Sequence, residues 1–490
     1  MKFRHKTTLL AGLGVLATLA PLTPAAAEES GLPPGGTMPP ANPHMSHGTT
    51  SNAHDDAYMS DSVAHAGPRS ADLDVRQVYM GRADSPIGAC MATMFDSRGN
   101  MFSECAGPQR AWLVWLDPHT LATKAVYDLP TGPVPAVSYV YIDDQDRIVA
   151  ATANRTVEII EAVSDPRPSL RKVREYDLTG SLVSGDKIVG VIPDWDGRIW
   201  FATMGHGTIS GAQVGSRDAV VGTIDPGTGA VSTMPLPGEA IGNSLATDET
   251  GGVYIASDRA LYRFEAAGNA PVVAWRGEYD NSGVHKPGQI AAGTGTTPTV
   301  TGAGYVAITD NADPMNVVVF RRDTGAQVCK QPVFDSAAYQ LPAGSPVHYA
   351  SATENSLVSV GDGFIVENNY GTQLVIDGGS RASSSGIARV EVGPDGGCHV
   401  AWTSTESVPS VVSKYSYATG LLYSYTREAD PAGIGTWYFT AIDAATGHTV
   451  FKTRTGIGPT ADNTYSAMTL GPDGTAYLGT TTGLLAVFPR

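Results

Sequence analysis

One pattern returns eight times along this chain: an apolar run, a short turn built on Asp or Gly, then a second run rich in aromatic and β-branched residues. The turns are Asp96-Ser97-Arg98-Gly99, Asp143-Asp144-Gln145-Asp146, Asp194-Trp195-Asp196-Gly197 and Asp248-Glu249-Thr250-Gly251. They continue as Thr301-Gly302-Ala303-Gly304, Val360-Gly361-Asp362-Gly363, Ala418-Thr419-Gly420 and Gly471-Pro472-Asp473-Gly474. Their centres lie roughly 50 to 60 residues apart. A second strand–turn–strand pattern alternates with the first, as in Ile224-Asp225-Pro226-Gly227-Thr228-Gly229, Arg322-Asp323-Thr324-Gly325 and Ile442-Asp443-Ala444-Ala445-Thr446-Gly447. Asp bonds its own backbone two residues on, and the closing glycine accepts positive φ. Each unit therefore reads as a four-stranded antiparallel sheet, A–B–C–D.

Sheets repeated in this way form an all-β ring, here an eight-bladed β-propeller, or a seven-bladed one if the unit around Gly302 is an insertion. The last unit supplies only three strands, at 466–470, 475–479 and 483–488. The segment 74–80 has strand composition and is expected to complete that blade, closing the ring and leaving no open sheet edge. The propeller domain accordingly spans 71–490.

With 490 residues, 42% hydrophobic and 16% charged, the chain has ample apolar material for a large core. Residues 1–27 read as an export signal. Lys2, Arg4 and Lys6 precede an apolar run over 9–19, and Ala25-Ala26-Ala27 offers a cleavage site. That run is too short to span a bilayer, and no other stretch reaches the length needed. A secreted protein follows. Its net charge of −16 disfavours nucleic acid and anionic membranes as partners and leaves a small-molecule ligand or substrate as the expectation.

Residues 28–70, rich in Pro, Gly, Ser and His, read as a disordered linker. His44, His47, His54, His65, Met38, Met45 and Met59 there are solvated side chains or a weak copper or zinc tract. The four cysteines suit an oxidising compartment. Cys90 and Cys105 stand equally far either side of the turn at Ser97-Arg98, facing positions of an antiparallel hairpin, which predicts a cross-strand disulfide. Cys329 and Cys398 pair by elimination.

In a propeller the B–C and D–A loops open on one face of the central channel. The residues at the ends of the B strands read Glu104, Asn154, His206, Asp258, Asp310, Glu367, Glu406 and Thr480. Asp310, Glu354 and Glu367, set among asparagines, form the oxygen-rich ligand set of a divalent cation, calcium or magnesium, or else cap turns. His206, between Gly205 and Gly207, is the candidate general base, with Glu367 beside it as a second catalytic group. No nucleophile elbow, phosphate-binding loop, His-Glu-x-x-His or haem-attachment sequence is present.

The stretch Pro193-Asp194-Trp195-Asp196-Gly197-Arg198-Ile199-Trp200-Phe201-Ala202-Thr203, with Val221-Gly222-Thr223-Ile224-Asp225-Pro226 after it, resembles the repeat of streptogramin B lyase and the gluconolactonase-like proteins. The run Ile442-Asp443-Ala444-Ala445-Thr446-Gly447-His448-Thr449-Val450-Phe451-Lys452 resembles the repeats of pyrroloquinoline-quinone (PQQ) dehydrogenases. The first resemblance implies a metal-dependent propeller enzyme that opens a lactone or eliminates across a small molecule. The second implies a quinoprotein dehydrogenase with calcium held by Glu, Asn and Asp, although the adjacent cysteines usual beside that cofactor are missing. A non-catalytic propeller that binds a ligand or a protein is the third reading.

Overall fold

The computed structural model describes residues 38–490 apart from 83, 84, 86, 108, 109, 131–137, 210, 211, 215–217, 373–382, 430–433 and 464. The expected signal peptide, 1–27, lies outside the described residues. Eight sheets of four antiparallel strands follow one another along the chain. Their first strands are Ala89–Phe95, Tyr141–Ile142, Ile188–Pro193, Ala246–Thr247, Thr299–Val300, Val358–Val360, Lys414–Ser416 and Met468–Leu470, and they number blades 1 to 8. First strands of successive blades touch around most of the ring, blade 2 meets blade 3 through its second strand and a Tyr139–Gly190 bridge, and the first strand of blade 8 packs on that of blade 1. The chain is an eight-bladed β-propeller. The unit around Gly302 is a complete blade, Thr299–Val300 through Gln327–Pro332, so the seven-bladed alternative falls. The outer strand beside Gly483–Pro489 in blade 8 is Leu73–Tyr79, paired antiparallel from Leu73–Pro489 to Tyr79–Gly483.

The repeated turn aspartates explain why the hairpins recur. In blades 1 to 4 one carboxylate oxygen of Asp96, Asp143, Asp194 and Asp248 accepts hydrogen bonds from the backbone N–H groups two and four residues on. The second oxygen then takes whatever side chain the next strand offers: Asn100, Arg147, Trp200 or Tyr254. Asp117, Asp225 and Asp443 cap the C–D turns by accepting from the backbone N–H groups two and three residues on. Middle strands are buried on both faces because each sheet is covered by its two neighbours, as in Ile199–Thr203. Outer strands such as Ser169–Asp177 are largely exposed. Trp112, Trp200 and Trp437 fill the space between blades. Both disulfides form as expected. Cys90–Cys105 crosses the first hairpin, and Cys329–Cys398 ties the outer strands of blades 5 and 6.

The linker expectation fails over its described part. Residues 42–63 run across the channel at the A–B turn end, and Ala53, His54, Tyr58, Met59 and Asp61 are buried. With His65, this stretch bonds to every blade. Thr50 O accepts from Phe95 N, Ser46 N donates to Ile142 O, and Asn42 Nδ2 donates to Pro193 O. Ala57, Tyr58, Ser60 and Asp61 carbonyls accept from Thr247, Val300, Ser359 and Tyr415, and the His65 ring meets Leu470 O. Ser62–Val63 adds a parallel fifth strand to blade 7. Low hydrophobicity misled here because the segment satisfies the exposed inner-strand ends through its backbone, which composition does not register.

Candidate functional site

With one end of the channel plugged, the open end is the face of the B–C and D–A loops. A cavity of about 190 Å³ sits there, floored by Ala53 and His54 of the plug. Blade 1 contributes Met91, Ala92 and Glu104, and the approach to blade 2 gives Ser138 and Tyr139. Lys187, Val189 and Met204 come from blade 3, with Val412, Tyr465 and Ala467 from blades 7 and 8. A second cavity of about 250 Å³ adjoins it through the shared Met204, Gly242 and Asn243, and runs past His206, Ser257, Asp258, Thr294 and Glu354.

Two ionisable side chains dominate the first cavity. Glu104 is 1% exposed, and its Oε1 has no hydrogen-bond partner. Burial pushes its carboxyl up to about 8, against smaller lowering effects of a Ser138 backbone hydrogen bond and the Lys187 charge. Lys187 is half-buried and, among the described residues, makes no side-chain hydrogen bond or close ion pair. Burial lowers its ammonium to about 8, opposed by the nearby Glu104 charge. Near neutrality the carboxyl is therefore mostly protonated, while a minor share of the amine is free and grows as pH rises toward 8.

Beneath them His54 is 2% exposed, stacked on Tyr139 at 5.5 Å between ring centroids. Its Nδ1 lies 3.0 Å from Asp61 Oδ2 and 2.9 Å from Ser356 Oγ, whereas its Nε2 has no partner. Lys414 Nζ completes the cluster, 2.5 Å from Asp61 Oδ1 and 3.1 Å from Asp55 Oδ2. Burial alone would raise Asp61, but the charges of His54 and Lys414 and their hydrogen bonds overcome it and hold the carboxyl below its usual range.

The residues singled out from sequence are dispersed. His206 is half-exposed on the rim of the second cavity, 3.9 Å from Asp218. Glu367 is 3% exposed, lines neither cavity, and accepts from Asn355 Nδ2 and Ser413 Oγ. Burial pushes it up to about 7, with those hydrogen bonds opposing. Asp310 closes its own turn through Asn316 and Ala312, and burial raises it to about 6. Glu354 does line the second cavity, and its Oε1 has no partner. Among the described residues no group of three or more His, Cys, Asp or Glu is arranged to hold a metal ion, so Asp310, Glu354 and Glu367 are not brought together as a cation site. The same holds for the described His residues of the N-terminal segment, where His54 Nδ1 meets Asp61 and Ser356 and the His65 ring meets Leu470 O. Glu406 was misplaced in the count of B strands. It follows the outer strand of blade 6, Cys398–Ser404, and pairs with Lys452 at 2.8 Å.

Glu104 stood among the B-strand residues of the sequence pattern. Lys187 lacked a signal of its own, and His54 was hidden in a segment read as linker.

No family model matches the chain. An uncharacterized protein of Archaeoglobus fulgidus is 24% identical over 499 residues, covering 91% of this chain and 88% of that one. Among solved structures, a europium-containing methanol dehydrogenase superposes with a TM-score of 0.57 at 12% identity, over 90% of this chain and 98% of its own. Quinohemoprotein alcohol dehydrogenases from Comamonas testosteroni and Pseudomonas putida HK5 give 0.55 and 0.56 at 10% and 11% identity. They cover 89% and 91% of this chain and 80% of their own. The likeness is one of fold. Among the described residues neither disulfide lines the cavity, and no group of three or more His, Cys, Asp or Glu stands there to hold a cation.

Proposed function

We propose that this propeller takes a small molecule into the channel cavity and exchanges protons with it through Glu104 and Lys187. The observation that carries this reading is the pairing of an orphaned buried carboxylate oxygen with a partnerless amine on one largely apolar cavity wall. Buried groups without partners cost folding free energy, about 1–3 kcal/mol each, and are retained where a ligand completes them. An acid and a base tuned close to neutrality suit opening of a lactone or elimination beside a carbonyl, the chemistry expected from the lyase-like repeats. Glu354 and His206 in the adjoining cavity would contact the remainder of such a ligand.

The test is a thermal-shift and ligand-observed NMR screen of lactones, esters, aldehydes and ketones against the wild type and the Glu104→Gln/Lys187→Met variant. Binders should raise the wild-type Tm by roughly 2–4 °C and lose that effect in the variant. Binding unaffected by the variant would place the site elsewhere.

Oxidation by a quinone- or metal-dependent route is the second reading, favoured by the fold shared with the alcohol dehydrogenases over nearly the whole chain. Elemental analysis and a visible spectrum of the purified protein decide between the two. A stoichiometric metal with a bound chromophore would favour the second.

A further inference from the structure

Resting on the small-molecule reading above, we infer that the channel cavity is a carbonyl site in which Lys187 forms an imine with an aldehyde or ketone. Three observations select a carbonyl compound. The Lys187 amine borders a largely apolar cavity and, among the described residues, carries no carboxylate or hydrogen-bond acceptor against it. Glu104 borders the same cavity with Oε1 unpaired. Below about pH 8 the Glu104 carboxyl is mostly protonated and sets no anion against a ligand, and a neutral carbonyl compound brings no new charge into the largely apolar cavity. Met91, Val189, Ile290 and Val412 supply an apolar wall for its carbon skeleton.

The chemistry balances with these two groups alone. The neutral Lys187 nitrogen adds to the carbonyl carbon, forming the C–N bond as the C=O π pair moves to oxygen. That oxygen takes the proton of the Glu104 carboxyl. The carboxylate then removes a proton from nitrogen, giving the carbinolamine, and returns it to the hydroxyl, which leaves as water. The product is a protonated imine on Lys187 beside ionised Glu104, with one water released per imine. Burial favours the free amine and the protonated acid that this sequence begins from. Glu104 acts here as proton donor and acceptor, and its own test follows from that role.

Pentane-2,4-dione is a suitable probe, because its adduct with an amine is a stable enaminone with near-ultraviolet absorbance. At pH 7 and one equivalent per chain, the label should fall on the peptide containing Lys187, roughly tenfold faster than on surface lysines. Peptide mapping of the wild type reads this directly and does not depend on any variant folding. Lys187→Arg should abolish the fast label. Glu104→Gln should slow it about tenfold if Glu104 carries the proton. If Glu104 acted only through its charge, its loss would leave more free amine and speed the label, which overturns the assigned role. Label spread over lysines according to exposure overturns the imine. A thermal shift by the dione without covalent label also overturns it, but leaves the small-molecule site standing. Neither label nor shift counts against both.

Discussion

At the scale of single residues, the ionisable groups are divided between two tasks. Lys414, Asp61 and His54 are buried and paired with one another, whereas Glu104 is buried with an unpaired oxygen and Lys187 is half-buried without a side-chain partner among the described residues. Removing one member of a matched set strands a charge, so Lys414→Met should cost about 3–5 kcal/mol in denaturant unfolding. Adding Asp61→Asn and Asp55→Asn should restore most of the loss, since no uncompensated carboxylate then remains. The unmatched groups set a pH dependence. Glu104 has its carboxyl raised from 4.5 to about 8 on folding, so between those values the folded chain binds more protons than the unfolded one. Its contribution is present below about 4.5 and is lost as pH rises toward 8. Glu104→Gln should therefore flatten the fall in Tm between pH 5 and pH 8, by roughly 2 °C or more in a calorimetric series.

At the scale of elements, the blades were legible and the plug was not. Asp96, Asp143, Asp194 and Asp248 announce their hairpins because each carboxylate acts on its own backbone, a local effect that sequence carries in full. The Cys90–Cys105 pairing followed from the same local register. His54 and Lys414 are 360 positions apart, and no local pattern could link them. Glu104 was visible as one polar strand-end residue among several, but only the converging walls of blades 1 and 3 single it out with Lys187. The two disulfides differ in what they close. Cys329–Cys398 spans 69 residues and two blades, and Cys90–Cys105 spans 15 within one hairpin. On chain entropy alone, Cys329→Ser/Cys398→Ser should lose about 4 kcal/mol and Cys90→Ser/Cys105→Ser about 3 kcal/mol, measured by urea unfolding.

At the scale of the whole molecule, the plug makes eight similar sheets into one object. Starting the chain at residue 67 would leave inner-strand groups of all eight blades without the bonds just described. Such a variant should melt roughly 10 °C or more below the full chain. Its far-ultraviolet and tryptophan transitions should separate, whereas those of the intact protein coincide. Trp195, whose ring lies 6.4 Å from that of Tyr58, is placed to report on the plug.

The order of these parts along the chain has a consequence for assembly. The segment that joins all eight blades is made before any of them, yet its last partners, at Tyr415 and Leu470, are made near the end. Its contacts span up to 405 positions, the kind of long-range closure that sets a slow folding step. The plug must therefore stay unengaged while the blades form. It seats only when the ring exists to receive it, so the channel cavity, whose floor is His54, is the last feature of the molecule to be completed.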